Sequence, residues 1–169
     1  MTEAGFTFEV KKPDVEETFP DDMPVQEVAV YLAKKKAAFF QGSIGNQIVI
    51  TADTVVVLQE KILNKPATRD EAIAMLTALS GNIHTVITGV CILSAEKEIS
   101  FQDHTEVKFK SLSQAEIAFY VDQYKPYDKA GAYGAQDWIG MVGVESIHGS
   151  YFNVMGLPIH RVYQELMNW

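Results

Sequence analysis

Two apolar runs separated by an amphipathic segment constrain this chain more than any other feature. Residues 47–52 read Gln-Ile-Val-Ile-Thr-Ala, and residues 86–93 read Val-Ile-Thr-Gly-Val-Cys-Ile-Leu. Runs rich in β-branched residues, with no polar alternation, suit strands covered on both faces. Between them, Thr68-Arg-Asp-Glu71 has the spacing of a capping box. Ala72, Met75, Leu76 and Leu79 then fall on one helical stripe, and Gly81 supplies the stop. A strand, a helix and a second buried strand in that order predict an α/β class.

The remaining pattern extends this reading. A first helix is predicted from about Pro24 to Phe40, with Val25, Val28, Ala29 and Leu32 recurring at helical spacing. A third follows the capping box Ser113-Gln-Ala-Glu116 and turns Ile117, Tyr120 and Val121 inward, and a last begins near Pro158. Residues 55–58 continue or follow the first strand. Residues 99–109 form another strand, with Thr105, Val107 and Phe109 on one side. Residues 141–147 and 151–154 read as a late hairpin around His148-Gly-Ser150. Strands that follow each other directly pair antiparallel. Residues 13–24, acidic and with three prolines, read as a loop too short to divide domains.

At 169 residues, one domain is expected, and 47% hydrophobic against 21% charged residues excludes a disordered chain. The net charge of −8 argues against a nucleic-acid partner, because an acidic surface repels a polyphosphate backbone. A small nucleotide held by a few local cations and a metal is still compatible. The single cysteine, Cys91, lies within the second apolar run, so it reads as a buried thiol and a disulfide framework is excluded. No apolar stretch reaches the ~20 residues of a membrane span, and Met-Thr-Glu-Ala-Gly is no signal peptide. A cytoplasmic setting, with no membrane, follows as the expectation.

Few residues stand out as carriers of chemistry. Asp53 follows a buried strand, where α/β proteins bind ligands, and can hold Mg²⁺ or orient a water; it equally suits a turn-forming aspartate. Glu16 and Glu17 offer metal oxygens from an acidic loop, or are simply solvated. Lys65 precedes Pro66, which holds its direction, and suits a point contact to phosphate as well as a plain surface role. Of Lys34, Lys35 and Lys36, at most one can face a site from the first helix. In Asp128-Lys-Ala-Gly-Ala-Tyr-Gly-Ala-Gln136, the two glycines let backbone N–H groups approach a ligand, and Gln136 can read a base edge; a long turn is the plain alternative. The four histidines have no metal-ligand spacing, and neither phosphate-loop nor dinucleotide glycine motifs occur.

Together, Thr51-Ala-Asp-Thr-Val-Val56, Asn64-Lys-Pro66, Ala72-Ile-Ala-Met-Leu76, Leu79-Ser-Gly81 with His84, the 128–136 segment, His148-Gly-Ser150 and Val154-Met-Gly-Leu-Pro158 resemble the Maf family of nucleotide pyrophosphatases, also called septum formation inhibitor proteins. The resemblance spans essentially the whole chain as a single domain, 1–169. It implies an elongated, mixed-sheet α/β fold related to inosine triphosphate pyrophosphatases, with a nucleotide cleft between two lobes. It implies hydrolysis of a nucleoside triphosphate to the monophosphate and pyrophosphate, helped by Mg²⁺ or Mn²⁺. Asp53 matches the family's catalytic acid and a metal ligand. Glu17, with Glu16 as rival, matches a second metal ligand. Lys36, Lys65 and Gln136 match substrate-binding positions, the last two resembling the branch that acts on dTTP and UTP. A homodimer is also implied.

One departure stands against the pattern. Family members begin with a strand and a Ser-x-Ser-Pro-Arg-Arg loop that grips phosphates; here Met1-Thr-Glu-Ala-Gly-Phe resembles the end of the helix after that loop, and the only arginines are Arg69 and Arg161. Two readings are open. In one, the start of the chain was missed or altered. In the other, the chain is a true truncation that hydrolyses weakly or only binds nucleotide, or acts in cell-division control. Loss of a strand is expected to expose a sheet edge or shrink the core.

Overall fold

The computed structural model describes residues 1–169. Residues 47–52 and 55–58 merge into one strand, β1 (Val49–Leu58), which turns back through the short β2 (Lys61–Leu63). After α2 (Arg69–Leu79) the second apolar run forms β3 (Ile83–Leu93), and β4 (Glu98–Phe109) returns alongside it. The sheet is completed by β5 (Val144–His148), in the order β2-β1-β3-β4-β5. Every pairing is antiparallel; the short connections β1–β2 and β3–β4 require it, while β1–β3 and β4–β5 are joined through helices. The helices are α1 (Val25–Ala38), α2, α3 (Gln114–Tyr124), α4 (Trp138–Gly143), α5 (Tyr151–Val154) and α6 (Ile159–Met167). The α/β class expected from the sequence is the class observed.

β3 shows why its sequence does not alternate. Ile87 packs with Val28, Ala29 and Leu32 of α1, and Cys91 and Leu93 pack with Ala33 and Ala37. The alternate residues His84 and Val86 face the larger core made with α2, α3 and α4, while Val90 and Ile92 meet Val162 of α6. Covered on both faces, the strand is mostly apolar, and its buried polar side chains His84 and Thr88 are hydrogen-bonded to Tyr133 and to the Asn153 backbone carbonyl. Gly89 sits where α1 comes closest: a Cβ there would collide with the backbone of Ala29 and Val30. That close approach is what lets a side chain from α1 reach β1.

Helix termini follow their capping chemistry. Ser113 and Glu116 form the complete reciprocal box. At α2 only half of it forms. Thr68 accepts from the Glu71 N–H, but the Glu71 carboxylate takes the N–H of Ala67 instead of that of Thr68.

The expected late hairpin is absent. Met141 belongs to α4, and residues 151–154 form a helical turn capped by Ser150, whose hydroxyl accepts from the Asn153 N–H. The reason is Asn153 itself. Its buried side chain donates to the Val86 carbonyl and to Thr105 Oγ1, and its backbone carbonyl accepts from the Thr88 hydroxyl, so this turn plugs into the sheet face rather than adding a strand to it. At the other edge, β2 pairs with β1 only at Val56, Val57 and Leu58, leaving the edge of β1 over residues 49–55 without a strand partner.

His84 is 2% exposed, packed edge-on against the Phe109 and Tyr133 rings, with the Tyr133 hydroxyl 2.8 Å from Nε2. Burial pushes its pKa from 6.5 down to about 4. The folded protein therefore holds a neutral imidazole where the unfolded chain holds a charged one, and stability present above pH 6.5 falls as pH drops toward 4. The full effect is about 3 kcal/mol. Urea unfolding across that range should show this slope, and His84→Gln, which keeps a hydrogen bond to Tyr133 without a titrating group, should remove most of it.

Candidate active site

The loop before α1 has no regular structure, yet one carboxylate on it is well placed. Phe19 and Met23 pack under the cluster of Val28, Ala29 and Leu32, and Lys35 Nζ donates to both the carbonyl and hydroxyl of Thr18 at 3.0 Å. Glu17, the neighbour of these anchors, reaches Lys36 at 2.7 Å and Lys65 at 2.5 Å. Glu16 makes no ion pair, so the geometry separates the acidic doublet.

Lys36 is the lysine of the triplet that turns toward β1. Lys34 pairs with Glu98 and Lys35 with Thr18, while Lys36 donates to Asp53 and Glu17 together. The Thr51 hydroxyl donates to the Ala33 carbonyl at 2.7 Å, locking α1 to β1 one helical turn before Lys36. Asp53 lies inside β1, opposite Gly89, and not at the strand's end as expected. The crevice arises at the open edge of β1 under α1, rather than beyond the strand termini, because the pairing is antiparallel.

The four charges are coupled unequally. Burial pushes the Asp53 carboxyl above the ordinary aspartate range, and the Lys36 contact only partly offsets it. Burial also opposes ionisation of Glu17, but Lys36 and Lys65 outweigh it and bring that carboxyl down to about 2. Lys36 loses hydration on burial yet stays firmly protonated, held by Asp53 and then Glu17.

Lys65 stands beside the buried Pro66 after β2, and its neighbour Asn64 accepts the Gly131 N–H at 3.3 Å. That bond ties the lysine loop to the 3₁₀ turn of Ala130–Ala132 on the far wall. Glu17, Lys36, Asp53, Lys65 and Gln136 all line one cavity of ≈ 290 Å³. An adjoining cavity of ≈ 230 Å³ shares Glu17, Asp53 and Lys65 and is walled by Phe19, Leu32 and Ile62. The glycine amides do not face the cavity as donors. Gly131 N–H serves Asn64, and Gly134 N–H serves the Tyr120 hydroxyl at 3.2 Å. The glycines are there for packing: a side chain at Gly131 would strike Val56, and one at Gly134 would strike Asp137.

Two carboxylates and two lysines round one cleft, with an amide on the opposite wall, fit binding and hydrolysis of a phosphoanhydride. The Maf-like protein family profile matches residues 1–169. The chain belongs to this family. It is 52% identical over 168 residues to a protein of Bacteroides fragilis (strain YCH46) named dTTP/UTP pyrophosphatase, covering 98% of this chain and 87% of the relative. Proteins of the same name from Parabacteroides distasonis and Cytophaga hutchinsonii are 47% and 46% identical, over 96% and 98% of this chain and 85% and 76% of theirs.

In this Maf-like chain the paired oxygen donors of the cleft come from Asp53 and Glu17. Asp53 Oδ1 and Glu17 Oε1 converge on a single ammonium, so one cation already occupies the point between them. Two carboxylate oxygens completed by substrate phosphates and water suit Mg²⁺, which is rarely caged by protein alone. No group of three or more His, Cys, Asp or Glu side chains is gathered for a metal.

Sequence reasoning missed several cavity residues. Thr54, Met155 and Gly156 line the wall, and Tyr120 and Asp137 stand behind it. Thr54 lies in Thr51-Ala-Asp-Thr-Val-Val56, and Met155 and Gly156 lie in Val154-Met-Gly-Leu-Pro158, but residue type alone gave none of them a role; Tyr120 reads only as a core residue, because its hydroxyl partner is 17 positions away.

Lys36 and Asp53 side chains are 16% and 11% exposed, so removing one charge leaves the other stranded. Lys36→Met should cost about 3 kcal/mol in urea unfolding, with Lys36→Met/Asp53→Asn recovering part of it. Glu17→Gln, at 39% side-chain exposure, should stay within about 1 kcal/mol.

Proposed function

We propose that this chain is a nucleoside triphosphate pyrophosphatase acting on dTTP, UTP or related modified pyrimidine nucleotides. The observation that carries the reading is the convergence of Glu17, Lys36, Asp53, Lys65 and Gln136, from five separate segments, on one cavity. The names of the relatives supply the substrate class.

The residues divide the work by charge. Lys65 and Lys36 meet the triphosphate oxygens as point charges. As Lys36 turns to phosphate, Asp53 and Glu17 lose their shared partner and become free to bind a cation or a proton. Asp53, whose carboxyl is raised by burial, takes a proton from the attacking water. The water oxygen bonds to phosphorus, the bond between the α- and β-phosphates breaks, and its electron pair leaves on pyrophosphate. Gln136 offers donor and acceptor atoms to the pyrimidine edge. A divalent cation, Mg²⁺ or Mn²⁺, held by Asp53 and Glu17 would neutralise developing phosphate charge.

The same reading makes the chain a single domain, working in the cytoplasm as a homodimer. It is supported by the family's character and by the buried, unpaired Cys91, and no helix is long and apolar enough to cross a membrane. It makes no use of nucleic acid, in keeping with the −8 charge.

The test is product analysis with UTP and dTTP. Pyrophosphate should appear with the monophosphate, dependent on divalent cation. Asp53→Asn should lower kcat by about 10²–10⁴-fold while the circular dichroism spectrum is kept. Release of orthophosphate, or full activity in Asp53→Asn, would contradict the assignment. Nucleotide-dependent thermal stabilisation without any product would instead support a binding protein that does not turn over.

A further inference from the structure

Gln136 is exposed on the cavity wall, and nothing in its own side chain holds it in place. Its backbone is different. Residues 134–137 form a tight turn closed by the Asp137 N–H, which donates to the Gly134 carbonyl at 3.0 Å. One atom grips both ends of that turn. The Tyr120 hydroxyl accepts from the Gly134 N–H at 3.2 Å and donates to Asp137 Oδ2 at 2.7 Å. Tyr120 is 0% exposed, on α3, and stacks on Tyr124 at 5.1 Å. The hydroxyl has a single proton, and Asp137 takes it, so its lone pairs face Gly134.

Two further contacts stiffen the same turn. Gly140 is pressed against the Ala135 carbonyl so closely that a Cβ would overlap it. Tyr133, the residue before the turn, has its hydroxyl 2.8 Å from buried His84. A core tyrosine needs a partner for its hydroxyl, but one partner would satisfy it. Two bonds to opposite ends of a four-residue turn do more than satisfy a core polar atom.

We propose that Tyr120 is a positioning residue for base selection: its hydroxyl clasps the ends of the 134–137 turn and thereby fixes the direction in which Gln136 presents its amide to the substrate. This rests on the proposed reading of Gln136 as the group facing the base. A side chain that discriminates by hydrogen bonding depends on preorganisation, and a displacement of about 1 Å can cost about 10²-fold. Burial pushes the Tyr120 phenol far above its ordinary range, so the clasp keeps its proton throughout the working pH range.

The test compares kcat/KM for UTP and GTP, the two nucleotides differing only in the base. The ratio, and not the absolute rate, is the readout that a merely structural tyrosine would leave alone. Gln136→Ala should collapse the UTP preference. Tyr120→Phe should lower it at least about tenfold, mainly through a higher KM for UTP, and Tyr120→Phe/Gln136→Ala should be no worse than Gln136→Ala. Asp137→Ala should behave like Tyr120→Phe, whereas Asp137→Asn, which still offers an oxygen to the hydroxyl, should keep most of the preference. Tyr124→Leu, which removes only the stacked ring, should leave the ratio unchanged. If Gln136→Ala collapses the ratio while Tyr120→Phe and Asp137→Ala leave it intact, the clasp is overturned and the reading of Gln136 survives. If Gln136→Ala itself leaves the ratio unchanged, that reading fails and the clasp falls with it.

Discussion

A single ammonium group held between two carboxylates organises this molecule's cleft. Lys36 bridges Asp53, inside the sheet, and Glu17, on an otherwise irregular loop. The Asp53 carboxylate is largely buried beneath a helix, and an isolated charge there would be costly. Lys36 offsets that cost without removing it, which is why Asp53 is pushed toward protonation even in the pair. An acid balanced in this way can exchange its cation for another one, or for a proton, when a polyanion draws the lysine away. The resting salt bridge and the proposed chemistry thus draw on the same electrostatic tension.

The rest of the fold serves to bring that pair together. Gly89 and the small residues Ala29 and Ala33 let α1 lie close on the sheet, and the Thr51–Ala33 bond sets its position along β1. Antiparallel pairing with a short β2 leaves one stretch of β1 uncovered, and the cleft opens along that stretch. The opposite wall is tied to the near one by the Asn64–Gly131 bond and is braced from behind by His84 and Tyr120. Rigid elements therefore stand behind each group that faces the cavity, although three of those groups, Glu17, Lys65 and Gln136, sit on irregular chain.

Local signals in the sequence reached as far as local physics determines structure. Capping residues, helical stripes and β-branched runs located the four long helices and the three long strands, because each is decided by neighbours within a few positions. Failures came where distant partners decide. Residues 151–154 read as one arm of a hairpin, yet the Asn153 side chain, bonded to Val86 and Thr105, makes them a helical turn. Thr68 looked like half of a reciprocal cap, but Ala67 took the Glu71 carboxylate. The candidate residues, Glu17 among them, were named through resemblance and residue type; that they line one cavity, and that Glu17 and not Glu16 reaches the lysines, is decided by the fold. The hydroxyl of Tyr120 was invisible in sequence, since a buried tyrosine at a helical inward position looks the same whether or not it holds a loop.

The proposed chemistry needs a triphosphate lying along the Lys36–Lys65 side of the cleft, with its base toward Gln136. A crystal structure with a non-hydrolysable α,β-imido analogue of UTP and Mg²⁺ tests that arrangement directly. Phosphate oxygens should lie within hydrogen-bond reach of Lys36 and Lys65, Asp53 should face the α-phosphate, and the uracil edge should meet the Gln136 amide. An analogue bound away from the cleft, or seated there with Lys36 still clamped on Asp53 and no phosphate near Asp53, would contradict the proposed chemistry.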